Sequence, residues 1–483
     1  MTQITINPVT RIEGHAQVRI NLDEAGEVES AHFNVVELRG FEKFLIGAAV
    51  EEAPRITPRI CGICPTSHHI ASAKACDQIF GAEPPATGKR LRELMMHGQF
   101  VHSHALHFFM LAAPDFLIGH EAPATERNLF GLVRKDPDLA KKAIEVRKFG
   151  QRLTEAIGGK PIHPSTAIPG GVSAPLGEQT RTELLEMARR TLSIAQEGWT
   201  MARSILGETD LSFGAVDSAF VGLTDQGRHS LTDGKAEVVG SDGNAIGAFS
   251  GADYLDYIEE YSESWSYLKF ARLKSSQYYR VGPLARLNLV REMGTEAADA
   301  ALEEYRENFG RFVQTTLAYN IARYVEFIAS CERAVELLSD PGITGTDVRA
   351  RVDGVANARG VGIIEAPRGT LIHDYTVDED GFIQRCNLIV ATCQNNWGMD
   401  RGVEDVARKV VQNGTLSEDA ANRIEMVIRA YDPCISCATH AIGRMPVKIK
   451  LIPKRKFEYA QQERFSKPCE WNPGESNAQA NPE

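Results

Sequence analysis

The hydrophobic pattern changes period along the chain. Near the N-terminus apolar and polar positions partly alternate. Ile4–Ile6, Ala16–Leu22 and Ser30–Leu38 are short and rich in β-formers, with Asp23-Glu24-Ala25-Gly26 as a turn between two of them. This predicts an N-terminal β meander. From Ser67 onward apolar residues recur at three and four positions. The spacing predicts helices over Ser67–Phe80, Arg90–Leu111, Pro137–Ile157, Arg181–Ile205 and Thr295–Leu338. The first starts at Pro65-Thr66-Ser67, and the last is long enough to cross a domain. Phe213–Ala252 is rich in Gly and Asp and reads as an irregular β excursion. Ile363–Val390 carries strand-like runs around Pro367-Arg368-Gly369, and Ser417–Arg429 reads as a helix. No repeat or low-complexity linker divides these elements. The expected fold class is α+β, predominantly helical, in one large domain.

Composition narrows the function. At about 150 residues per domain, 483 residues allow three domains or one large enzyme fold. Hydrophobic residues at 43% and charged residues at 24% argue against a disordered or collagen-like chain. A formal charge of -11 argues against nucleic acid as main partner, since phosphate recognition needs a basic face. The N-terminus lacks a basic start followed by an apolar run, and no stretch reaches about 18 uninterrupted apolar residues. The expectation is a cytoplasmic protein without a membrane span. In a reducing compartment, nine cysteines suggest metal or catalytic thiols rather than disulfides.

Four of the nine form two C-x-x-C pairs. One lies in Arg59-Ile60-Cys61-Gly62-Ile63-Cys64-Pro65-Thr66-Ser67-His68-His69, the other in Asp432-Pro433-Cys434-Ile435-Ser436-Cys437-Ala438-Thr439-His440. Each turn brings two sulfurs close enough to grip one metal ion. Two turns give four thiolates, enough for zinc, an iron–sulfur cluster or a binuclear centre. Small zinc modules close within about 15–20 residues. These pairs are separated by 369 intervening residues, so the global fold must assemble the site.

At these cysteines the sequence resembles the large, catalytic subunit of nickel–iron hydrogenases. Asn7-Pro8-Val9-Thr10-Arg11-Ile12-Glu13-Gly14-His15 is similar to the family's opening motif. Arg59 to His68 and Asp432 to His440 resemble its two metal motifs, and Glu365-Ala366-Pro367-Arg368-Gly369 its active-site arginine segment. The wording is most similar to the cytoplasmic, multi-subunit, bidirectional branch that includes NAD-reducing and bifurcating enzymes.

The resemblance implies a single large-subunit domain with a long-helix bundle core. It implies nickel on Cys61, Cys64, Cys434 and Cys437, with Cys64 and Cys437 bridging to an iron that carries carbonyl and cyanide. Soft sulfur ligands suit such a redox metal. Hydrogen would be cleaved heterolytically, its proton taken by the terminal thiolate of Cys434 and relayed by Glu13. Without the motif, Glu13 reads as a salt-bridge partner of Arg11. Arg368 would stand over the open coordination site, paired with Asp432. Where the membrane-bound branch has an aspartate between two histidines, this chain has His102-Ser103-His104, which leaves the arginine one carboxylate. His68 would hydrogen-bond a cysteine sulfur, and the Thr392 hydroxyl a cyanide. Glu42, His440 and the Leu388 carbonyl would hold a structural magnesium or iron(II). The plainer readings of His68, Thr392 and Glu42 are a packed histidine, a polar loop residue and a surface acid.

The same resemblance implies 1–440 as the catalytic domain and 441–483 as an extension cut after His440 by a maturation endopeptidase. The remaining cysteines show no iron–sulfur spacing, and no G-x-G-x-x-G stretch opens a helix. An iron–sulfur small subunit is therefore implied, with diaphorase, flavin and further iron–sulfur subunits beyond it. NAD(P) is the expected acceptor; ferredoxin, a deazaflavin or a bifurcating acceptor are the alternatives. The rival classes are a structural four-thiolate zinc protein and a non-hydrogenase relative such as a respiratory complex I component.

Overall fold

The computed structural model describes residues 2–208 and 211–439, all within one compact unit. His440, the expected extension 441–483 and Cys469 lie outside the described residues. No described helix is long and apolar enough to cross a membrane.

The N-terminal meander is an antiparallel sheet of Thr2–Ile6, Ala16–Leu22 and Val28–Val35 in sequence order. Ile4 faces Ile20, and Ile20 faces Ala31. Val18, Ile20 and Leu22 are buried while Arg19 is exposed, as a one-sided sheet requires. The Asp23 carboxylate closes the turn by accepting the amides of Ala25 and Glu27, both at 2.9 Å. The third strand stops at Val35, short of the expected Leu38, and Val36 and Leu38 are exposed.

The bundle is built by close backbone approach. Helix Ala86–Ala105 packs on Pro137–Gly158, and a Cβ at Gly150 would lie 2.6 Å from the Gly98 carbonyl oxygen. Helix Glu178–Glu208 packs on Tyr319–Ser339, where a Cβ at Gly198 would meet the Tyr324 hydroxyl at 2.1 Å. Two expectations need correction. The Arg90–Leu111 helix is α-helical only to Ala105 and continues as wider π-helical turns over Leu106–Ala112 and Pro114–Ile118. Thr295–Leu338 is not one helix. Glu296–Phe309 ends at Gly310, whose φ of 84° is left-handed, and a new helix runs over Tyr319–Ser339. Asn288 holds the break by exchanging two 2.9 Å hydrogen bonds with the Val313 backbone.

The expected irregular excursion is a regular sheet of Ala219–Asp225, Lys235–Val239 and Ala245–Phe249. Arg228–His229 and the parallel Tyr279–Arg280 also pair with its first strand. A third sheet orders Arg359–Ala366, Gly369–Val377 and Ile383–Ile389 antiparallel. Its central strand is buried almost throughout. Helix Pro65–Ile79 lies directly on the first strand: a Cβ at Gly360 or Gly362 would fall 2.1 or 1.9 Å from the Ala75 or Ala71 carbonyl oxygen. The hairpin between the first two strands has a two-residue tip, Pro367-Arg368.

Candidate metal centre

Each cysteine pair sits where a regular element begins or ends. A short 3₁₀ turn, Thr57–Ile60, delivers Cys61 in extended conformation. Cys64 is the N-cap of helix Pro65–Ile79, with Pro65 at the first helical position, where its missing N–H costs nothing. The second pair follows helix Glu418–Tyr431. That helix is capped by Ser417 and ends at Asp432, whose left-handed φ of 53° turns the chain inward.

The N-terminal motif lies beside this segment. Ile435 N–H donates to the Glu13 carbonyl at 3.2 Å, and Gly14 leaves the room: a Cβ there would be 2.6 Å from Ile435 Cβ. Arg11 and Arg429 both pair with buried Asp115, and Glu425 takes the Thr10 amide at 2.7 Å. Arg11 is thus spent on Asp115. The Glu13 carboxylate instead accepts the Ser436 amide at 3.0 Å and the Ser436 hydroxyl.

The four sulfurs meet. Cys61 and Cys434 are 3.1 Å apart, Cys64 and Cys437 3.2 Å, and Cys434 and Cys437 2.7 Å. All are buried and free of disulfides, within 4.8 Å of one another. Shared hydrogen bonding, first with Cys434, holds the Cys61 thiol well below its usual range, while burial pushes Cys434 and Cys437 well above theirs. Four sulfurs this close cannot all be anionic without a cation between them. The donor set fits a thiophilic metal.

A small cavity adjoins the sulfurs, walled by Ala366, Leu371, Val390 and Ala391 and by Ser67, His68, Arg368 and Thr392. Arg368, at the hairpin tip, donates from Nε to the Asp432 carbonyl at 2.5 Å and from Nη2 to Oδ1 at 2.9 Å. Burial opposes its charge, but Asp432 and the sulfurs of Cys434, Cys64 and Cys61 more than offset it. Burial raises the Asp432 carboxyl, and Arg368 and Arg323 pull it back. Ser103 Oγ is buried without a hydrogen-bond partner.

Two buried donors lining the cavity, Arg368 Nη1 and Ser67 Oγ, also have no partner. A closed four-thiolate zinc site needs no such donors. A metal carrying small acceptor ligands does. Thr392 Oγ1 accepts the Cys434 amide at 2.9 Å, which leaves its own hydrogen to give. His68 lines the cavity, with its Nδ1 3.0 Å from His373 Nε2.

The second expected ion site is partly described. Glu42 Oε1 accepts from Lys269 Nζ at 2.7 Å and from the Leu388 amide at 2.8 Å. It is the Leu388 N–H that meets Glu42 here. Lys269 also reaches Glu260 at 3.1 Å and Asn387 at 2.9 Å. Burial raises the Glu260 carboxyl, and Lys269 and Asn387 pull it back.

Several supports were invisible in the sequence. Arg286 donates to the carbonyls of Ala366 and Pro367 at 3.1 and 3.2 Å, so it holds the turn under Arg368. It is locked by Glu326 and Glu365, all three fully buried. Arg323 and His373 likewise belong to no motif: Arg323 reaches the Ala430 carbonyl 107 residues on, and His373 meets His68 305 residues back.

Comparison with known proteins agrees with this geometry. The family described as nickel-dependent hydrogenase matches residues 39–127 and 186–440, and a HoxL-like family matches residues 3–38. One component of the F420-non-reducing hydrogenase of Methanothermobacter thermautotrophicus is 45% identical over 456 residues, 92% of this chain and 95% of that one. The beta subunit of the NAD-reducing hydrogenase HoxS of Cupriavidus necator is 38% identical over 474 residues, 93% and 97%. A crystal structure of an NAD+-reducing [NiFe]-hydrogenase in the H2-reduced state superposes with a TM-score of 0.88 at 41% identity, covering 91% of this chain and all of that one.

Proposed function

Because this chain belongs to the nickel-dependent hydrogenase family, an oxidoreductase family, we propose that it is the catalytic subunit of a cytoplasmic, multi-subunit nickel–iron hydrogenase. The observation that carries the reading is four buried sulfurs from both ends of the chain, meeting beside a cavity into which an arginine at a hairpin tip is locked. Nickel would be held by Cys61, Cys64, Cys434 and Cys437, and iron by Cys64 and Cys437. When bound, that centre supplies reversible heterolytic cleavage of H2 and passes electrons onward.

The protein's own groups do the rest. Cys434 takes the proton. Glu13, gripping Ser436 between the two C-terminal cysteines, passes it outward. Arg368 Nη1, Ser67 and Thr392 would offer hydrogen bonds to carbonyl and cyanide on the iron, and Asp432 keeps the guanidinium oriented. His68 donates toward a cysteine sulfur. Glu42, the Leu388 carbonyl and His440 would hold magnesium or iron(II), with Lys269 beside Glu42. Infrared spectroscopy of the purified protein tests the centre. Bands of metal-bound carbonyl and cyanide, with nickel and iron by elemental analysis, are expected; zinc alone would sink the reading.

Electrons leave through an iron–sulfur small subunit and, by likeness to the NAD-reducing relative, reach NAD(P) through diaphorase subunits. In a second reading ferredoxin, a deazaflavin or a bifurcating acceptor takes them; the relative at 45% identity is named F420-non-reducing rather than NAD-reducing. H2-dependent reduction of NAD, NADP and ferredoxin by the purified complex separates the two. We also propose that an endopeptidase cuts after His440. Residues 441–483 hold eight Lys/Arg and five Asp/Glu, so cutting makes the chain three charges more negative. An intact mass in the active, nickel-loaded protein would defeat that.

A further inference from the structure

A buried line of four side chains runs from the thiol cavity into the core, and no step above uses it beyond its first member. His68 lines the cavity with Cys64 and Cys437. Its Nδ1 is 3.0 Å from His373 Nε2. His373 Nδ1 is 2.7 Å from the Tyr375 hydroxyl, and that hydroxyl is 3.0 Å from Ser72 Oγ. None of the four is more than 1% exposed. Two elements build the line. His68 and Ser72 are one turn apart on helix Pro65–Ile79, and His373 and Tyr375 share a face of strand Gly369–Val377.

A neutral imidazole donates from one nitrogen and accepts at the other. Each contact in the line holds one proton, so its direction is fixed as a whole. For His68 to donate from Nε2 into the cavity, its Nδ1 must accept from His373 Nε2–H. His373 Nδ1 must then accept from the Tyr375 hydroxyl, whose oxygen in turn accepts a hydrogen bond from the Ser72 hydroxyl; with Tyr375 donating to Ser72 instead, the whole line reverses. Burial holds the Tyr375 phenol well above its usual range, so it keeps the proton it must give. In the opposite direction His68 would turn a bare nitrogen toward the sulfurs of Cys64 and Cys437, which as thiolates bound to metal only accept. The sulfurs therefore select the donating direction, and Tyr375 supplies it.

We propose that His373 and Tyr375 are positioning residues that fix which nitrogen of His68 carries the proton, so that His68 donates a hydrogen bond into the metal site. The inference rests on reading the four sulfurs as a nickel–iron centre. The test uses the purified, metal-loaded complex and the carbonyl and cyanide infrared bands. Tyr375→Phe removes one oxygen and leaves the ring. It should shift those bands in the same direction as His68→Gln while nickel content stays at the wild-type level. In a His68→Gln background, Tyr375→Phe should add no further shift, because the relay is already cut. His373→Phe should behave alike and decides the matter if Tyr375→Phe does not fold. Unshifted bands in the single variants, or an equal added shift without His68, would overturn the relay while leaving the metal reading intact. Absent bands in the wild type would overturn both.

Discussion

At the scale of single residues, two side chains carry the sharpest expectations. Glu13 accepts from Ser436 through both carboxylate oxygens; Gln can keep the amide contact through its oxygen and donate from its NH2 to the Ser436 hydroxyl, but cannot carry a proton. Glu13→Gln should retain nickel while hydrogen/deuterium exchange falls about 10²–10⁴-fold, the usual worth of a positioned acid–base group. Unchanged exchange would remove Glu13 from the proton path. Asp432 faces two buried arginines, Arg368 in contact and Arg323 nearby. Asp432→Asn removes the carboxylate charge that both arginines face. A loss of about 3–5 kcal/mol is expected, read as a lower midpoint in denaturant. The contiguous motifs made these two residues legible in the sequence. Ser67 stood in the same motif, but its role depends on facing a cavity wall, which no spacing reports.

At the scale of elements, the helix after the first cysteine pair is anchored by a histidine whose ring state the geometry fixes. His69 Nδ1 lies 2.6 Å from the Pro54 carbonyl, to which it donates, and Nε2 accepts the Ala167 amide at 2.8 Å. The ring must be neutral, and burial lowers its pKa from 6.5 to about 4. The unfolded chain binds a proton below about 6.5 that the folded chain refuses until about 4. Stability from this group is therefore complete above 6.5 and lost as pH falls between those values, by about 3 kcal/mol. His69→Gln should flatten that part of the stability–pH curve; a slope equal to wild type would clear His69. Element types were largely readable from periodicity. Boundaries failed where tertiary contacts act. The Thr295–Leu338 spacing hid the break at Gly310, which Asn288 stabilises from outside the segment. The segment after Ala105 widened into π turns that apolar spacing cannot distinguish from α.

At the scale of the molecule, the centre joins segments that are remote in sequence, and the protein braces them before any metal arrives. Glu13–Ser436, Arg368–Asp432 and Thr392–Cys434 contacts all hold the C-terminal segment. Expressed without nickel, the chain should keep its helix content by circular dichroism. Amides of residues 432–439 should still exchange at least about tenfold faster than in the loaded protein, because the ion is the remaining tie. Equal exchange would show that the metal does not close the site. The sequence announced the four cysteines and the Arg368–Asp432 pair, but not the Glu13–Ser436 and Thr392–Cys434 braces, whose partners share no local pattern; Lys269 beside Glu42, 227 positions apart, is as hidden. The distance between the cysteine pairs also sets a clock during synthesis. Cys434 leaves the ribosome 370 residues after Cys64, so at about 5–20 residues per second the first pair waits roughly 20–70 s for its partners. For that interval the two N-terminal thiols have only each other, and whatever delivers the metals must either guard them or arrive late.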